Sequence, residues 1–228
     1  MSARIVFDLD GTLIDSAPDI QNIANAALDG IGAPHISLQE TYAFIGQGIQ
    51  VFVQKMRAAR NVPERHQERL LNDLIARYDD AVTLTVMYPG VKQALTELSK
   101  DHQFGVCTNK LHRPAMAVLE HLQIARFFGT VWGGDNPLAR KPDPAPLLAA
   151  FDDLGSGPRI YVGDSEVDAE TAQRAKVPFI LFTKGYRNTP VGEIPHDVAL
   201  DEFEALPRLI AGLLETHAKE THGTAGRW

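Results

Sequence analysis

Short apolar runs alternate with longer helical patterns along most of the chain. The runs are rich in Val, Ile and Phe and lack strict polar alternation, which is typical of strands buried on both faces. They lie at 5–7, 104–107, 130–132, 159–162 and 178–182, and the helical patterns lie at 91–100, 114–128, 145–154 and 168–176. This alternation predicts parallel βαβ units, and therefore an α/β fold with a parallel sheet. A sixth strand at 197–200 and a last helix at 202–214 follow, with a polar end that we expect to fray.

One long segment interrupts this alternation. The stretch between the first two apolar runs is much longer than a single crossover requires, and all four of its patterns are helical. Ser37 and Glu40 have the spacing of a capping box, and Ser16 with Asp19 comes close to one. We therefore predict two domains. They are an all-helical cap domain at 16–87, inserted after the first strand, and a Rossmann-like core domain at 1–15 and 88–228.

Composition and charge exclude several classes of protein. The chain has 228 residues and a formal net charge of −7, with 44% hydrophobic and 22% charged residues, which is ordinary for a globular protein. The acidic balance argues against a nucleic-acid partner, and no apolar run approaches the ~20 residues that span a membrane. The single cysteine, Cys107, excludes a disulfide scaffold and a cysteine-built zinc site. The first apolar run is too short for a signal peptide, so we expect a soluble, cytoplasmic protein.

Residues that could take part in catalysis or binding follow the carboxyl ends of the predicted strands. In a parallel sheet these ends share one edge, which is where such folds bind ligands. Carboxylates, a hydroxyl, an amide and an amine should therefore converge there from separate strands. In chain order they are Asp8, Asp10 and Gly11, then Thr108 and Asn109, then Lys141, and finally Asp164 and Asp168.

The carboxylates in this set indicate metal-assisted phosphoryl chemistry. Crowding Asp8, Asp10 and Asp164 is costly unless a cation neutralises them or a proton is shared. Oxygen ligands without His or Cys suit a hard ion, and Mg²⁺ is the usual one where a phosphate completes the shell. A carboxylate in line with a phosphorus atom can act as a nucleophile. A second carboxylate two residues on can protonate the leaving oxygen and then take a proton from water.

The other polar residues are suited to holding a phosphoryl group. Thr108 and Asn109, with free backbone N–H groups expected near Gly11, would bind phosphoryl oxygens. Lys141 would offset negative charge during transfer. The sequence therefore predicts a site for a small phosphorylated metabolite.

These residues resemble the four motifs of the haloacid-dehalogenase superfamily. The motifs stand in that superfamily's order as Asp8-Leu9-Asp10-Gly11-Thr12, Thr108, Lys141-Pro142 and Gly163-Asp164…Asp168. The resemblance covers residues 4–182, and the helical segment lies where the superfamily places its first type of cap. Within the superfamily, residues 163–172 and 184–186 are most similar to the phosphoglycolate phosphatases.

The resemblance implies a Mg²⁺-dependent phosphomonoesterase that hydrolyses 2-phosphoglycolate through an aspartyl-phosphate. Asp8 would be the nucleophile, and Asp10 the general acid and then base. Mg²⁺ would be held by Asp8, Asp164 and the backbone carbonyl of Asp10. Asp168 would act mostly through water or by positioning Lys141. The residues that would bind the phosphoryl group are Gly11, Thr108, Asn109 and Lys141.

Other functions stay open at this point. The substrate could be another small phosphorylated metabolite. A phosphomutase similar to β-phosphoglucomutase would use the same core motifs, because it also forms an aspartyl-phosphate and then passes the phosphoryl group to a sugar hydroxyl. A phospho-acceptor signalling domain also carries an Asp cluster, a Thr and a Lys at strand ends, but it gains nothing from so long a cap.

The cap would choose among these substrates. A substrate with a carboxylate would need a cation or N–H donors from the cap, and Lys55, Arg57 and the loop at 46–48 are the candidates. Lys55 and Arg57 read more simply as solvated helix charges, and the loop reads equally well as a turn between helices. The oligomeric state is open between a monomer and a homodimer.

Overall fold

The first apolar run forms a central strand of a parallel sheet. In the computed structural model, which describes residues 2–224 and the side chains of 2–216, β1 (Arg4–Phe7) lies beside the strand that ends at Cys107 and the strand that ends at Gly163. All pairings in this sheet are parallel, which confirms the predicted α/β fold. The strands of the chain are β1, β2 (Ile14–Asp15), β3 (Val86–Met87), β4 (Gln103–Cys107), β5 (Phe128–Trp132), β6 (Arg159–Gly163), β7 (Phe179–Phe182) and β8 (Val198–Leu200).

The strand order places a binding crevice beside β1. The sheet runs β5-β4-β1-β6-β7-β8, so the chain builds outward on one side of β1 and then returns to build on the other side. Such a reversal opens a crevice beyond the carboxyl ends of the two strands that flank it. Here those strands are β1 and β6, which end just before Asp8 and Asp164.

Helices cover both faces of the sheet, which explains why its strands lack polar alternation. Ile5 and Phe7 of β1 pack in one apolar cluster with α5, α6 and α9, and Val6 packs in another cluster with α7 and α8. Successive side chains of a strand point to opposite faces, so a strand with two covered faces is apolar throughout. The bounds of these helices are α5 (Val91–Leu98), α6 (His112–His121), α7 (Ala145–Asp153), α8 (Glu166–Ala175) and α9 (Leu206–Thr224).

The long segment between β2 and β3 is helical and has its own apolar cluster. Its helices are α1 (Ala17–Asp29), α2 (Leu38–Phe44), α3 (Ile49–Ala59) and α4 (Gln67–Tyr78). Buried side chains from three of them, including Ile20, Phe52 and Leu70, pack together in that cluster. The division of the chain into a core domain and a cap domain stays a prediction.

The helix-only prediction for 16–87 is wrong at its end. Val86–Met87 forms β3, which pairs antiparallel with β2. The Tyr88 N–H also donates a hydrogen bond to the Leu13 carbonyl, so the chain leaves and re-enters the sheet region side by side. Strands of two residues are too short to give a periodic pattern, and the sequence therefore did not reveal them.

Several helix ends differ from the predicted ones. The Ser37–Glu40 capping box is present, but Ser16 makes no side-chain cap to α1. The pattern at 114–128 was too long, since α6 ends at His121 and Gln123 adopts a positive φ of 59° that no α-helix accommodates. The last helix does not stop at 214 but continues to Thr224. Among residues 2–224, no helix is long and apolar enough to cross a membrane.

Candidate active site

A tight turn after β1 presents Asp8 and Asp10 at the carboxyl edge of the sheet. The Asp8 N–H donates to the Val162 carbonyl, so this residue continues the strand geometry, and its side chain is buried. The turn requires Gly11, which has a φ of 87° and whose added Cβ would lie 2.5 Å from Asp164 Oδ2. Gly11 therefore gives Asp164 the room to approach the turn.

Asp8, Asp164 and Asp168 form a buried group of carboxylates. Each offers an oxygen within 4.8 Å of the others, and they are the metal-compatible group among the described residues. Thr12 Oγ1 and the Tyr186 N–H each donate to a different oxygen of Asp164, at 2.8 and 2.6 Å. These bonds fix the orientation of Asp164 toward Asp8.

The electrostatics of this group fit a cation. Burial raises the pKa of Asp8 to about 7, against the opposing effect of Lys141. Burial, together with the charges of Asp168 and Asp8, raises the pKa of Asp164 well above its ordinary value. Asp8 Oδ1 is also buried and accepts no hydrogen bond of standard geometry. A divalent cation would supply the positive charge that favours both ionised carboxylates.

Lys141 bridges two of these carboxylates. Its Nζ lies 2.8 Å from Asp8 Oδ1, though without hydrogen-bond geometry, and donates a 2.7 Å hydrogen bond to Asp168 Oδ1. Burial opposes its charge, but Asp168 and Asp8 more than offset this and hold the pKa of Lys141 above its ordinary value. Lys141 is therefore an ammonium that partly compensates the charge beside Asp8.

Asp168 has no spare oxygen for another role. Its Oδ1 accepts from Lys141 and from the Tyr161 hydroxyl, both at 2.7 Å. Its Oδ2 accepts from the Ser165 hydroxyl at 2.7 Å and from two backbone N–H groups, in a capping box at the start of α8. Burial raises the pKa of Asp168, but Lys141, Ser165 and Tyr161 outweigh it and leave the pKa below its ordinary value. Asp168 thus positions Lys141 and starts α8 at the same time.

Asp10 has different partners from Asp8. The Ser16 hydroxyl donates a 2.5 Å hydrogen bond to Asp10 Oδ1, and Lys110 Nζ lies 3.1 Å from the same oxygen. The Asp10 side chain is not part of the metal-compatible group of Asp8, Asp164 and Asp168. Burial opposes the charge of Lys110, but Asp10 and Tyr78 offset this and raise its pKa above the ordinary value.

Thr108 and Asn109 follow β4 and lie next to Asp8 and Asp10 in one cavity. We expected free backbone N–H groups here, but those of Thr108 and Gly11 donate to the backbone carbonyls of Trp132 and Ile14. Asn109 Nδ2 donates to the carbonyls of Gly46 and Lys141, at 2.9 and 3.1 Å. Phosphoryl binding by Gly11, Thr108 and Asn109 stays a prediction, and the Thr108 hydroxyl is the group best placed for it.

The cavity lies between the sheet edge and the helices of the 16–87 segment. It is small, about 40 Å³. Its polar wall comes from the sheet edge, and most of its other wall is apolar, formed by Ile20, Ile23, Ile45, Ile49, Phe52 and Leu74. Gly46 and Gly48 of the 46–48 loop also line it.

The two cap cations considered from the sequence do not line this cavity. Lys55 Nζ donates to the Ala43 carbonyl at 3.4 Å. Arg57 donates to Gln67 Oε1 and to the Val62 carbonyl. Both side chains therefore serve the helical segment itself.

Sequence reasoning missed several residues that hold the site together. Lys110 stands directly after Thr108 and Asn109, and this adjacency was an available signal. Ser165 has capping-box spacing with Asp168, although its carboxylate partner is an Asp rather than the usual Glu. Tyr161 gave no distinct signal, because a Tyr within an apolar run is ordinary packing, and Tyr186 was noted only as part of the resembling stretch 184–186, without a role.

The fold and the carboxylate site define a hydrolase of one large class. The model of the family "Haloacid dehalogenase-like hydrolase" matches residues 5–182, and the chain belongs to this family. The resemblance inferred from the four motifs is thereby confirmed.

Within this family, the chain is similar to several phosphoglycolate phosphatases. The phosphoglycolate phosphatase of Cereibacter sphaeroides is 43% identical over 214 residues, covering 92% of this chain and 98% of that protein. The phosphoglycolate phosphatase of Rhodobacter capsulatus is 38% identical over 215 residues, covering 93% and 98%. Among solved structures, a predicted phosphoglycolate phosphatase from Haemophilus somnus has a TM-score of 0.84 at 28% identity, covering 90% of this chain and 96% of that one.

Proposed function

We propose that this protein hydrolyses 2-phosphoglycolate to glycolate and phosphate, with Mg²⁺, through an aspartyl-phosphate on Asp8. The observation that carries the reaction is the position of Asp8, which is 2.8 Å from the Lys141 ammonium and within 4.8 Å of Asp164, at a cavity that Asp10 also lines. The relatives at 38–43% identity, which are named for phosphoglycolate, support the substrate.

The reaction has two steps. In the first, a carboxylate oxygen of Asp8 attacks phosphorus, the phosphorus–oxygen ester bond breaks, and Asp10 gives its proton to the leaving oxygen of glycolate. In the second, water attacks the aspartyl-phosphate, Asp10 takes a proton from this water, and phosphate leaves. The Thr108 hydroxyl and the backbone N–H of Asn109, whose side-chain amide donates to Gly46 and Lys141, bind phosphoryl oxygens, and Lys141 compensates their charge.

Asp8, Asp164 and the backbone carbonyl of Asp10 would hold Mg²⁺. When bound, the ion supplies positive charge that neutralises the carboxylates and the phosphoryl group. Asp168 stays outside the ligand set, because its oxygens already accept hydrogen bonds from Lys141, Tyr161 and Ser165.

The organisation of the whole chain follows from this reaction. We infer a core domain at 1–15 and 88–228 that carries the chemistry, and a cap domain at 16–87 that excludes bulk water from the first step and admits water to the second. A small phosphorylated acid as the substrate also suits a cytoplasmic enzyme, acting as a monomer or a homodimer without nucleic acid or membrane as partner.

The test is phosphate release from 2-phosphoglycolate, with Mg²⁺ and with EDTA, beside glucose 1-phosphate as a comparison. We expect fast release from phosphoglycolate, loss of release in EDTA, and full recovery when Mg²⁺ is added back. Conversion of glucose 1-phosphate to its 6-phosphate isomer without free phosphate would show a phosphomutase instead. Equal, slow release from both compounds would overturn phosphoglycolate as the substrate.

A further inference from the structure

The cavity beside Asp8 has an uneven distribution of charge. Its described lining contains two carboxylates, Asp8 and Asp10, and a single cation, Lys110. The helical segment contributes apolar side chains and two glycines to this lining, together with the Tyr78 ring and hydroxyl. In a ligand with two anionic groups, the phosphoryl group would bind beside Asp8, and Lys110 is the lining cation that could bind the second anionic group.

Lys110 is held at the cavity mostly by long contacts. Its side chain is 3% exposed, and its Nζ lies 3.1 Å from Asp10 Oδ1, 3.4 Å from Asp10 Oδ2 and 3.5 Å from the Tyr78 hydroxyl. The ammonium also lies 4.5 Å from the centre of the Tyr78 ring. The 3.4 and 3.5 Å contacts are long for hydrogen bonds, so a substrate carboxylate could replace them with shorter ones.

Lys110 is also close in the chain to the phosphoryl-binding residues. Its backbone N–H donates to Thr108 Oγ1 at 3.2 Å, so the loop after β4 carries both residues in one rigid unit. In 2-phosphoglycolate, one methylene separates the carboxylate from the ester oxygen. Two anchors from a single short loop match so short a ligand.

We propose that Lys110 binds the carboxylate of the substrate and thereby selects phosphorylated acids over neutral phosphate esters. This inference rests on the proposed function. Selectivity then comes from the sheet edge rather than from a cation of the cap, and the apolar wall excludes water around the resulting ion pair. An uncharged analogue offers Lys110 no second anion and so lacks the charge-assisted hydrogen bond that favours the acid.

The test compares two substrates of nearly the same shape, 2-phosphoglycolate and ethyl phosphate, which lacks the carboxylate. We expect Lys110→Met to lower kcat/KM for phosphoglycolate on the order of 10- to 100-fold more than for ethyl phosphate. Lys110→Arg should keep part of the preference for the acid, because it keeps the charge. Lys55→Met is the matched control, since Lys55 lies outside the cavity, and it should leave the ratio of the two kcat/KM values unchanged.

A binding measurement covers the case in which both activities of Lys110→Met are too low to compare. In an Asp8→Asn background, which cannot turn over, calorimetric titration gives the Kd of each phosphate ester with and without Lys110→Met. The proposal requires a weaker Kd for phosphoglycolate and a nearly unchanged Kd for ethyl phosphate. Thermal melting checks that each variant is folded.

Two results would overturn the proposal, and they can be told apart. If the wild type prefers phosphoglycolate and Lys110→Met loses both substrates equally, Lys110 only positions Asp10 and the proposed function survives. If the wild type shows no preference for phosphoglycolate over ethyl phosphate, the proposed function fails together with the inference.

Discussion

The site contains two buried lysine–aspartate pairs whose surroundings differ. Lys141 contacts Asp8 and Asp168, and every further partner of that pair, including Tyr161 and Ser165, comes from the sheet edge. Lys110 contacts Asp10, but the further partners of this pair are Ser16, directly before α1, and Tyr78, at the end of α4.

This difference separates a fixed half of the site from a half that depends on the helical segment. Asp8 keeps its partners wherever α1–α4 lie, because none of those partners belongs to them. Asp10 shares its oxygen Oδ1 with Ser16, so a shift of α1 changes the surroundings of the proposed acid and base. The proposed nucleophile is thus preorganised by the sheet, whereas proton transfer through Asp10 would depend on the position of the helical segment.

The largest expected effect is on the fixed half. Asp8→Asn removes the proposed nucleophile, and we expect kcat for 2-phosphoglycolate to fall by roughly 10⁴-fold or more. Far-UV circular dichroism should remain that of the wild type, because Asn nearly matches Asp in shape. Phosphate release that persists in this variant would remove Asp8 from the mechanism.

The same variant should change the pH dependence of stability. Burial raises the pKa of Asp8 from 3.8 in the unfolded chain to about 7, so between these values only the unfolded form gives up its proton. The free energy of unfolding of the metal-free protein therefore falls as the pH rises through that window and is level above it. We expect Asp8→Asn in EDTA to melt higher than the wild type at pH 8, with a smaller difference at pH 5. A difference independent of pH would contradict this, and excess Mg²⁺ should reduce the gap at pH 8.

The two pairs should also differ in how much one aspartate of each contributes to stability. Asp168→Ala leaves Lys141, Tyr161 and Ser165 without their acceptor in a fully buried place, and should cost about 3–5 kcal/mol in the free energy of unfolding. Asp10→Ala should cost about 1–3 kcal/mol, because the Asp10 side chain is 9% exposed and Lys110 can turn toward the cavity. Urea denaturation in EDTA measures both. Equal losses of unfolding free energy would contradict this difference between the two pairs.

The smallest expected effects on stability come from removing the tyrosine hydroxyl that contacts each lysine–aspartate pair. Tyr161→Phe deletes short hydrogen bonds to Asp168 and Lys141, and should cost about 1–2 kcal/mol in the free energy of unfolding. Tyr78→Phe deletes only a 3.5 Å contact to Lys110, and should cost less than about 0.5 kcal/mol. Thermal melting compares the two variants. A larger loss for Tyr78→Phe would show that the cap side is the more tightly held.

The fixed half is also the part of the site that the sequence could predict. Asp8 and Asp164 stand directly after buried apolar runs, and Lys141 lies in the loop between a third run and the next helix. The topology of a parallel sheet brings these positions together. The motif order then identified the family. All of this depends on local patterns and on one general property of parallel sheets.

The cap side could not be predicted in the same way. The contact between Lys110 and Tyr78 joins two elements far apart in the chain, and the apolar stripe of α4 does not reveal which of its members faces a cavity. We considered Lys55 and Arg57 as cap cations, although solvated helix charges were the simpler interpretation, and the structure gives that wall apolar side chains. We expected the Ser16 hydroxyl to cap α1, but it donates to the Asp10 carboxylate instead. A side-chain partner thus replaces the backbone N–H groups of the first helical turn.

The short ladder of β2 and β3 has a consequence for how the chain reaches its native state. An unfolded stretch as long as residues 16–85 would oppose the pairing of β1 with β4, because closing so long a loop reduces the conformational entropy of the chain. Once α1–α4 have packed, the two ends of the stretch already lie side by side at Ile14–Met87 and Asp15–Val86. The helical segment thereby holds its own two ends together. Its early folding would reduce the entropy lost when β1 pairs with β4 and would speed that pairing.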